Sequence, residues 1–105
     1  MADRSWKAWE RRTAKWFGGK RRGPVLGMLH PNDVIVDGWS IECKLLARPS
    51  FGEMLAAAIQ AENAKEHSDD IAVAIVKRKH DLDENALVIM RKQEFLDHFV
   101  GGRDG

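Results

Sequence analysis

The stretch Asn32-Asp33-Val34-Ile35-Val36-Asp37-Gly38-Trp39-Ser40-Ile41-Glu42-Cys43-Lys44-Leu45-Leu46 decides the fold. Two β-rich runs flank Asp37-Gly38, a dipeptide that favours the two-residue type I′ hairpin turn. With those two residues in the loop, Val36 pairs with Trp39, Val34 with Ile41 and Asp33 with Glu42. Side chains alternate along a strand, so Val34, Val36, Trp39 and Ile41 form an apolar face while Asp33, Glu42 and Lys44 project from the other. Directly opposed carboxylates destabilise a hairpin unless something neutralises them. A hard divalent cation does so, and Mg²⁺ takes one or two protein carboxylates and fills its remaining positions with water and phosphate. The alternative is a solvated sheet face on which Lys44 offsets the two acids.

Upstream, Trp6, Trp9, Thr13, Trp16 and Phe17 recur at three- and four-residue steps, which predicts a helix over residues 4–17 ended by Gly18-Gly19. Glu10 falls on the edge of this apolar stripe, facing inward or along a cleft, or else it is a surface carboxylate paired with neighbouring arginines. The tryptophans at 6, 9 and 16 read as core, since they share one stripe and do not alternate with basic residues as a base-stacking platform would. Residues 18–24 read as a flexible basic loop, and 25–29 as a short strand.

Downstream, Ser50-Phe51-Gly52-Glu53 has the form of a capping box, followed by Phe51, Met54, Leu55, Ala58 and Ile59 at helical spacing to about Glu66. Ala56, Ala57, Ala61 and Ala64 occupy its other side and would permit close approach to a sheet. Residues 71–76 are apolar on both alternating faces, as in a central strand. A polar connection, a strand over 86–90 and a closing helix over 93–100 with Phe95, Leu96 and Phe99 inward complete the chain. The expectation is one domain over 1–100 with a flexible tail at 101–105.

With 44% hydrophobic and 31% charged residues, the composition is that of a globular protein. No apolar run reaches the roughly 20 residues of a membrane span and no signal-peptide core is present, so a cytoplasmic protein without membrane attachment is expected. The single cysteine, Cys43, excludes an internal disulfide and a thiolate zinc cluster. Charge is segregated: residues 1–22 carry eight Lys/Arg against two acids, and the remainder nine against fourteen. This polarity suits a polyanion docked at one end, or simply a solvated basic face.

Pro31-Asn32-Asp33 and Glu42-Cys43-Lys44, with a helical Glu before them and a capped helix and strand after them, resemble the PD-(D/E)XK nuclease superfamily. Asn32 intervenes where the family often has Pro directly before Asp, but proline supplies no ligand there. Trp9-Glu10-Arg11-Arg12, the basic glycine loop and the small size are similar to archaeal and phage-type Holliday junction resolvases. The resemblance implies a restriction-endonuclease-like α/β domain, a mixed sheet flanked by helices in the order α-β-β-β-α-β-β-α. It implies Glu10, Asp33, Glu42 and Lys44 as active-site residues. Asp33, Glu42 and the Cys43 carbonyl would hold Mg²⁺, for which Mn²⁺ substitutes, and Glu10 would hold a second metal or a metal-bound water. Arg11, Arg12, Lys20, Arg21 and Arg22 are candidates for DNA phosphate contacts. Gln60 is a candidate for site support, with helix packing as its alternative. Paired nicks at a four-way DNA junction require a C2 homodimer. The rival functions are a nicking or flap endonuclease of phage DNA processing, and a non-catalytic DNA-binding module.

Overall fold

The hairpin turn sets the register of the whole sheet. In the computed structural model, which describes residues 4–21 and 34–101, β2 (Val34–Val36) and β3 (Trp39–Leu46) pair antiparallel as Val34↔Ile41, Ile35↔Ser40 and Val36↔Trp39. Gly38 sits at a φ of +84°, where a Cβ would be strained, but Asp37 does not take a positive φ, so the loop has the expected two residues without being the expected type I′ turn, which needs positive φ at both.

A helix α1 (Arg4–Trp16) precedes the sheet. It ends in a Schellman motif: Gly18 takes a φ of +72°, Gly19 N–H donates to Ala14 C=O at 2.8 Å, and Gly18 N–H to Lys15 C=O at 3.1 Å. Gly19 then passes so close to β2 that a Cβ on it would collide with the Ile35 carbonyl and a Val36 methyl. That approach lets Lys20–Arg21 form a strand, β1, paired as Lys20↔Ile35 and Arg21↔Val34. The first part of the expected basic loop is therefore sheet. The strand expected over 25–29 lies outside the described residues.

After β3 comes α2 (Phe51–Asn63), which starts at Ser50 with both halves of the capping box formed. β4 (Ile71–Arg78) then runs parallel to β3 along its full length, from Trp39↔Ile71 to Leu46↔Arg78. A 3₁₀ turn (Asp83–Asn85) leads to β5 (Leu87–Ile89), antiparallel to β4, and α3 (Lys92–Phe95) continues as a π-helical turn over Leu96–Val100. The five strands lie in sequence order, with β5 at one edge. The protein is thus an α/β structure with a mixed sheet and helices on both faces.

The two faces are packed differently. On one, Trp9 and Ala14 of α1 meet Val34, Ile41, Cys43, Val73 and Ile75. Phe17 stands edge-on to Trp39 at 5.2 Å, while Lys77 Nζ lies over the Trp9 ring. On the other, Ala57 packs with Ala74 and Val76, and Ser40 Oγ donates to Ala61 C=O at 2.6 Å.

Two expectations about packing are corrected and one holds. Among the tryptophans on α1 only Trp9 is core; Trp6 and Trp16 are 40% and 52% exposed. The close approach of α2 to the sheet through its small residues holds: Ala57, Ala58 and Ala61 are buried and Met54 packs beside them, whereas Phe51 is 77% exposed. Ala74 leaves a gap too shallow for large side chains, so small residues on both partners close it. In the closing helix Phe95 and Phe99 stack on each other and remain exposed. Glu94 turns inward there. It accepts from the Ala72 N–H at 2.9 Å and from Lys65 Nζ at 3.0 Å, and meets His98 Nε2 at 3.0 Å. Among the described residues, no helix is long and apolar enough to cross a membrane.

Candidate active site

Strand alternation places Ser40, Glu42 and Lys44 on the α2 face of β3, opposite to Ile41 and Cys43. The Ser40 hydrogen bond fixes that face against the end of α2. Two residues on, Glu42 is only 3% exposed. Lys44 Nζ stands 3.3 Å from Glu42 Oε2, with the lysine side chain about one-third exposed at 34%. A buried carboxylate needs compensation by charge or hydrogen bonds, and Lys44 supplies charge from the solvent side. The two residues that the sequence grouped on β3 are therefore brought together.

β3 is paired with β4 along its whole length, but with β2 only from Trp39 to Ile41 among the described residues. Glu42 lies one step beyond the last of these pairs. Asp33, its expected partner, lies outside the described residues, as does Arg22. Cys43 is buried in the α1-face core, as a side chain alternating with Glu42 must be.

Glu10 is 2% exposed, so the inward placement expected from its position in the helical stripe holds. It is carried by α1, which packs on the face of the sheet opposite to Glu42. A site using both carboxylates must reach round the margin where the β2–β3 pairing ends. Among the described residues no three His, Cys, Asp or Glu side chains form a group able to hold a metal ion.

The candidate DNA contacts separate. Arg11 is exposed on α1. Arg12 instead makes a two-pronged bond to Asp83, Nε to Oδ2 at 2.6 Å and the second nitrogen to Oδ1 at 3.0 Å, and lies over Trp9. Asp83 also meets Lys77 Nζ at 3.1 Å. The Arg12 hydrogen bonds, then that of Lys77, hold the Asp83 carboxyl below its ordinary value against the opposing effect of burial. Arg12 thus ties α1 to the β4–β5 connection, and its fork is occupied. Lys20 and Arg21 lie in β1 beside the hairpin. Gln60 is exposed on α2, off the alanine side that faces the sheet.

Sequence reading missed two charged clusters, Glu94 with Lys65 and His98, and Asp83 with Arg12 and Lys77. The spacing Glu94–His98, one helical turn, was a usable signal. Nothing local marks Arg12 and Asp83, which are 71 residues apart. Comparison with known proteins returns no match: no family model, no curated protein and no solved structure matches this chain.

Proposed function

We propose that the protein is a metal-dependent endodeoxyribonuclease of the PD-(D/E)XK type, hydrolysing DNA phosphodiesters and acting on four-way junctions. One observation carries the reading. The hairpin register that the turn enforces sets a buried Glu42 beside Lys44 on one face of β3, one step past Val34↔Ile41. The register expected from the Asp37-Gly38 loop pairs Asp33, which lies outside the described residues, with Glu42. The α-β-β-β-α-β-β-α order of elements and the inward Glu10 support the same reading.

The donors fit a hard cation. Glu42, Glu10 and the Cys43 carbonyl offer oxygen, the donor class that Mg²⁺ and Mn²⁺ take, and Asp33 completes the set. Such an ion acidifies water and polarises a phosphoryl oxygen. The chain's own residues do the rest. Glu42 and Asp33 would hold the ion, and the Lys44 ammonium would neutralise charge on the phosphate. Glu10 approaches from the α1 side to hold a second ion or orient water. Arg11 on α1, with Lys20, Arg21 and Arg22 from the basic segment that follows it in sequence, would contact the DNA backbone.

Incubation with matched four-way, flap and linear DNA in Mg²⁺, Mn²⁺ or chelator tests the proposal. Metal-dependent nicking with preference for the junction is expected. Equal cutting of all three substrates would leave a nuclease that is not a resolvase. Binding without cutting under any divalent metal would replace the proposal with a DNA-binding module, for which the Glu42–Lys44 pair is a structural ion pair.

A further inference from the structure

We infer that the α1 face carries a second ligand site, a recess at the carboxyl end of the parallel pair β3–β4 that takes one phosphate group, as free phosphate or as a nucleoside monophosphate. The recess, about 100 Å³, is lined by Arg12 of α1, Leu45 of β3, Lys77 of β4, and Lys79 and His80 of the turn that follows. Leu45 and Lys77 are paired in register, and the Lys79 N–H donates to the Leu46 carbonyl at 2.9 Å. That bond carries the ladder past the strand end and fixes Lys79 beside the recess. Open α/β sheets bind ligands outside the carboxyl ends of their strands.

Charge selects an anion. Arg12, Lys77 and Lys79 bring three positive charges, and the carboxylate that opposes them, Asp83, is already shared between Arg12 and Lys77. The neighbouring Asp81 carboxylate is turned to Arg78, Asn85 and the Leu82 N–H. Lys77 is 7% exposed, and an ammonium so buried needs compensation for its charge and its three protons. The Asp81 carbonyl at 2.8 Å and Asp83 at 3.1 Å account for two, and the Trp9 ring adds a cation–π contact. The third proton has no acceptor among the described residues, and Lys79 has no anionic partner among them. A dianion restores the balance. At about 30 Å³ per water molecule, the recess suits one tetrahedral oxyanion and is too small for a nucleobase. A backbone diester must leave by two bonds, whereas free phosphate or a monoester can be enclosed from α1, β4 and the turn together.

The backbone gives an independent sign. The Asp81 N–H donates to the Arg78 carbonyl at 3.2 Å, closing a four-residue turn whose third residue, His80, has a φ of +67°. Glycine is the strain-free residue at such a position. A side chain held there costs stability, and such strain concentrates at ligand sites. Here it sets an imidazole at the recess, where a ring N–H can donate to a bound oxygen. Glu42 and Lys44 do not line the recess and lie on the other face of the sheet, so the site stands apart from the nuclease reading.

Its test uses neither metal nor cleavage. Amide resonances of the full chain are followed by NMR during titration with sodium phosphate, against sodium chloride of matched ionic strength. Phosphate should move the Lys77, Lys79 and His80 signals saturably, with a Kd of about 1 mM or tighter, and chloride should not. Adenosine monophosphate and adenosine separate the sources. Equal affinity for phosphate and the monophosphate assigns the recess to the phosphate group alone, tighter binding of the monophosphate assigns it to a nucleotide, and adenosine should move nothing. Lys79→Ala should weaken phosphate about tenfold at an unchanged thermal midpoint. His80→Gly should weaken it about threefold without lowering the midpoint, a combination that a purely structural role for the side chain does not produce. Shifts that follow ionic strength alone would overturn the inference. So would wild-type affinity in both variants, shifts caused equally by adenosine, or shifts caused by a duplex without terminal phosphates when free phosphate causes none.

Discussion

The two faces of β3 divide the labour of this protein. On the α1 face, Ile41 and Cys43 are sealed beneath Trp9 with Val73 and Ile75. On the α2 face the same strand carries Ser40, Glu42 and Lys44, a polar row with a buried carboxylate. One-residue alternation is enough to separate them, so an apolar contact made by Ile41 and a charge held by Glu42 are fixed by the same backbone. The comparison predicts that substitutions on the first face act through stability. Those of Glu42 and Lys44 on the second should act chiefly through chemistry.

The largest stability effect is expected from Trp9→Ala, which opens the α1-face core and removes the ring under Arg12 and Lys77. A loss of about 3–5 kcal/mol is expected in denaturant unfolding. A loss below about 1 kcal/mol would mean that α1 is not part of the core. Ser40→Ala is smaller. It leaves the Ala61 carbonyl without its 2.6 Å donor and should cost about 1–2 kcal/mol, with any fall in cleavage tracing to a shift of β3 against α2.

Acidification probes the ion pairs at the periphery of both faces. Asp81 is brought to about 2 from its ordinary 3.8 by the Asn85 amide first, then the Leu82 N–H and Arg78. Glu62 and Asp83 are lowered by hydrogen bonds from Arg91 and Arg12 respectively. A depressed carboxylate contributes stability that is fully present above its unfolded value and lost as pH falls through its folded one. The thermal midpoint should therefore hold steady above about pH 5 and decline between about pH 4.5 and 2, in the window these three shifts define. Asp81→Asn should flatten the lower part of that decline. An acid slope unchanged by the substitution would remove Asp81 from the account.

Much of this arrangement was legible because it is written locally. The dipeptide Asp37-Gly38 specifies the loop length and the register, though not the turn type, Ser50 and Glu53 cap α2 within three residues, and the unbroken apolar run at 71–76 has few alternatives to a central strand. That alanines bring α2 onto the sheet was legible, but not that Met54 joins them while Phe51 stays outside, since that depends on the shape left by Ala74 and Val76 on another element. β1 was missed because Lys20 and Arg21 have no strand signal of their own, and close passage of Gly19 along β2 creates it. Burial of Glu94 was hidden for a similar reason, its partners Lys65 and Ala72 lying 29 and 22 residues away. Of the candidate site, Glu42, Lys44 and the inward turn of Glu10 followed from strand and helix period alone. The pairing of Arg12 with Asp83 was not legible because the two meet only through the tertiary fold.

The most direct test of the central claim pairs cleavage with stability in the same variants. Wild type, Glu42→Gln and Lys44→Ala are assayed on a four-way junction in Mg²⁺, and their thermal midpoints are measured in parallel. Glu42→Gln exchanges the cost of a buried charge for the loss of its Lys44 pair, so its stability should change by less than about 1 kcal/mol. Both variants should nevertheless cut at least about 10²-fold more slowly than wild type. Cleavage by either variant at the wild-type rate, or a wild type that cuts nothing with any divalent metal, would contradict the assignment of Glu42 and Lys44 to a nuclease site.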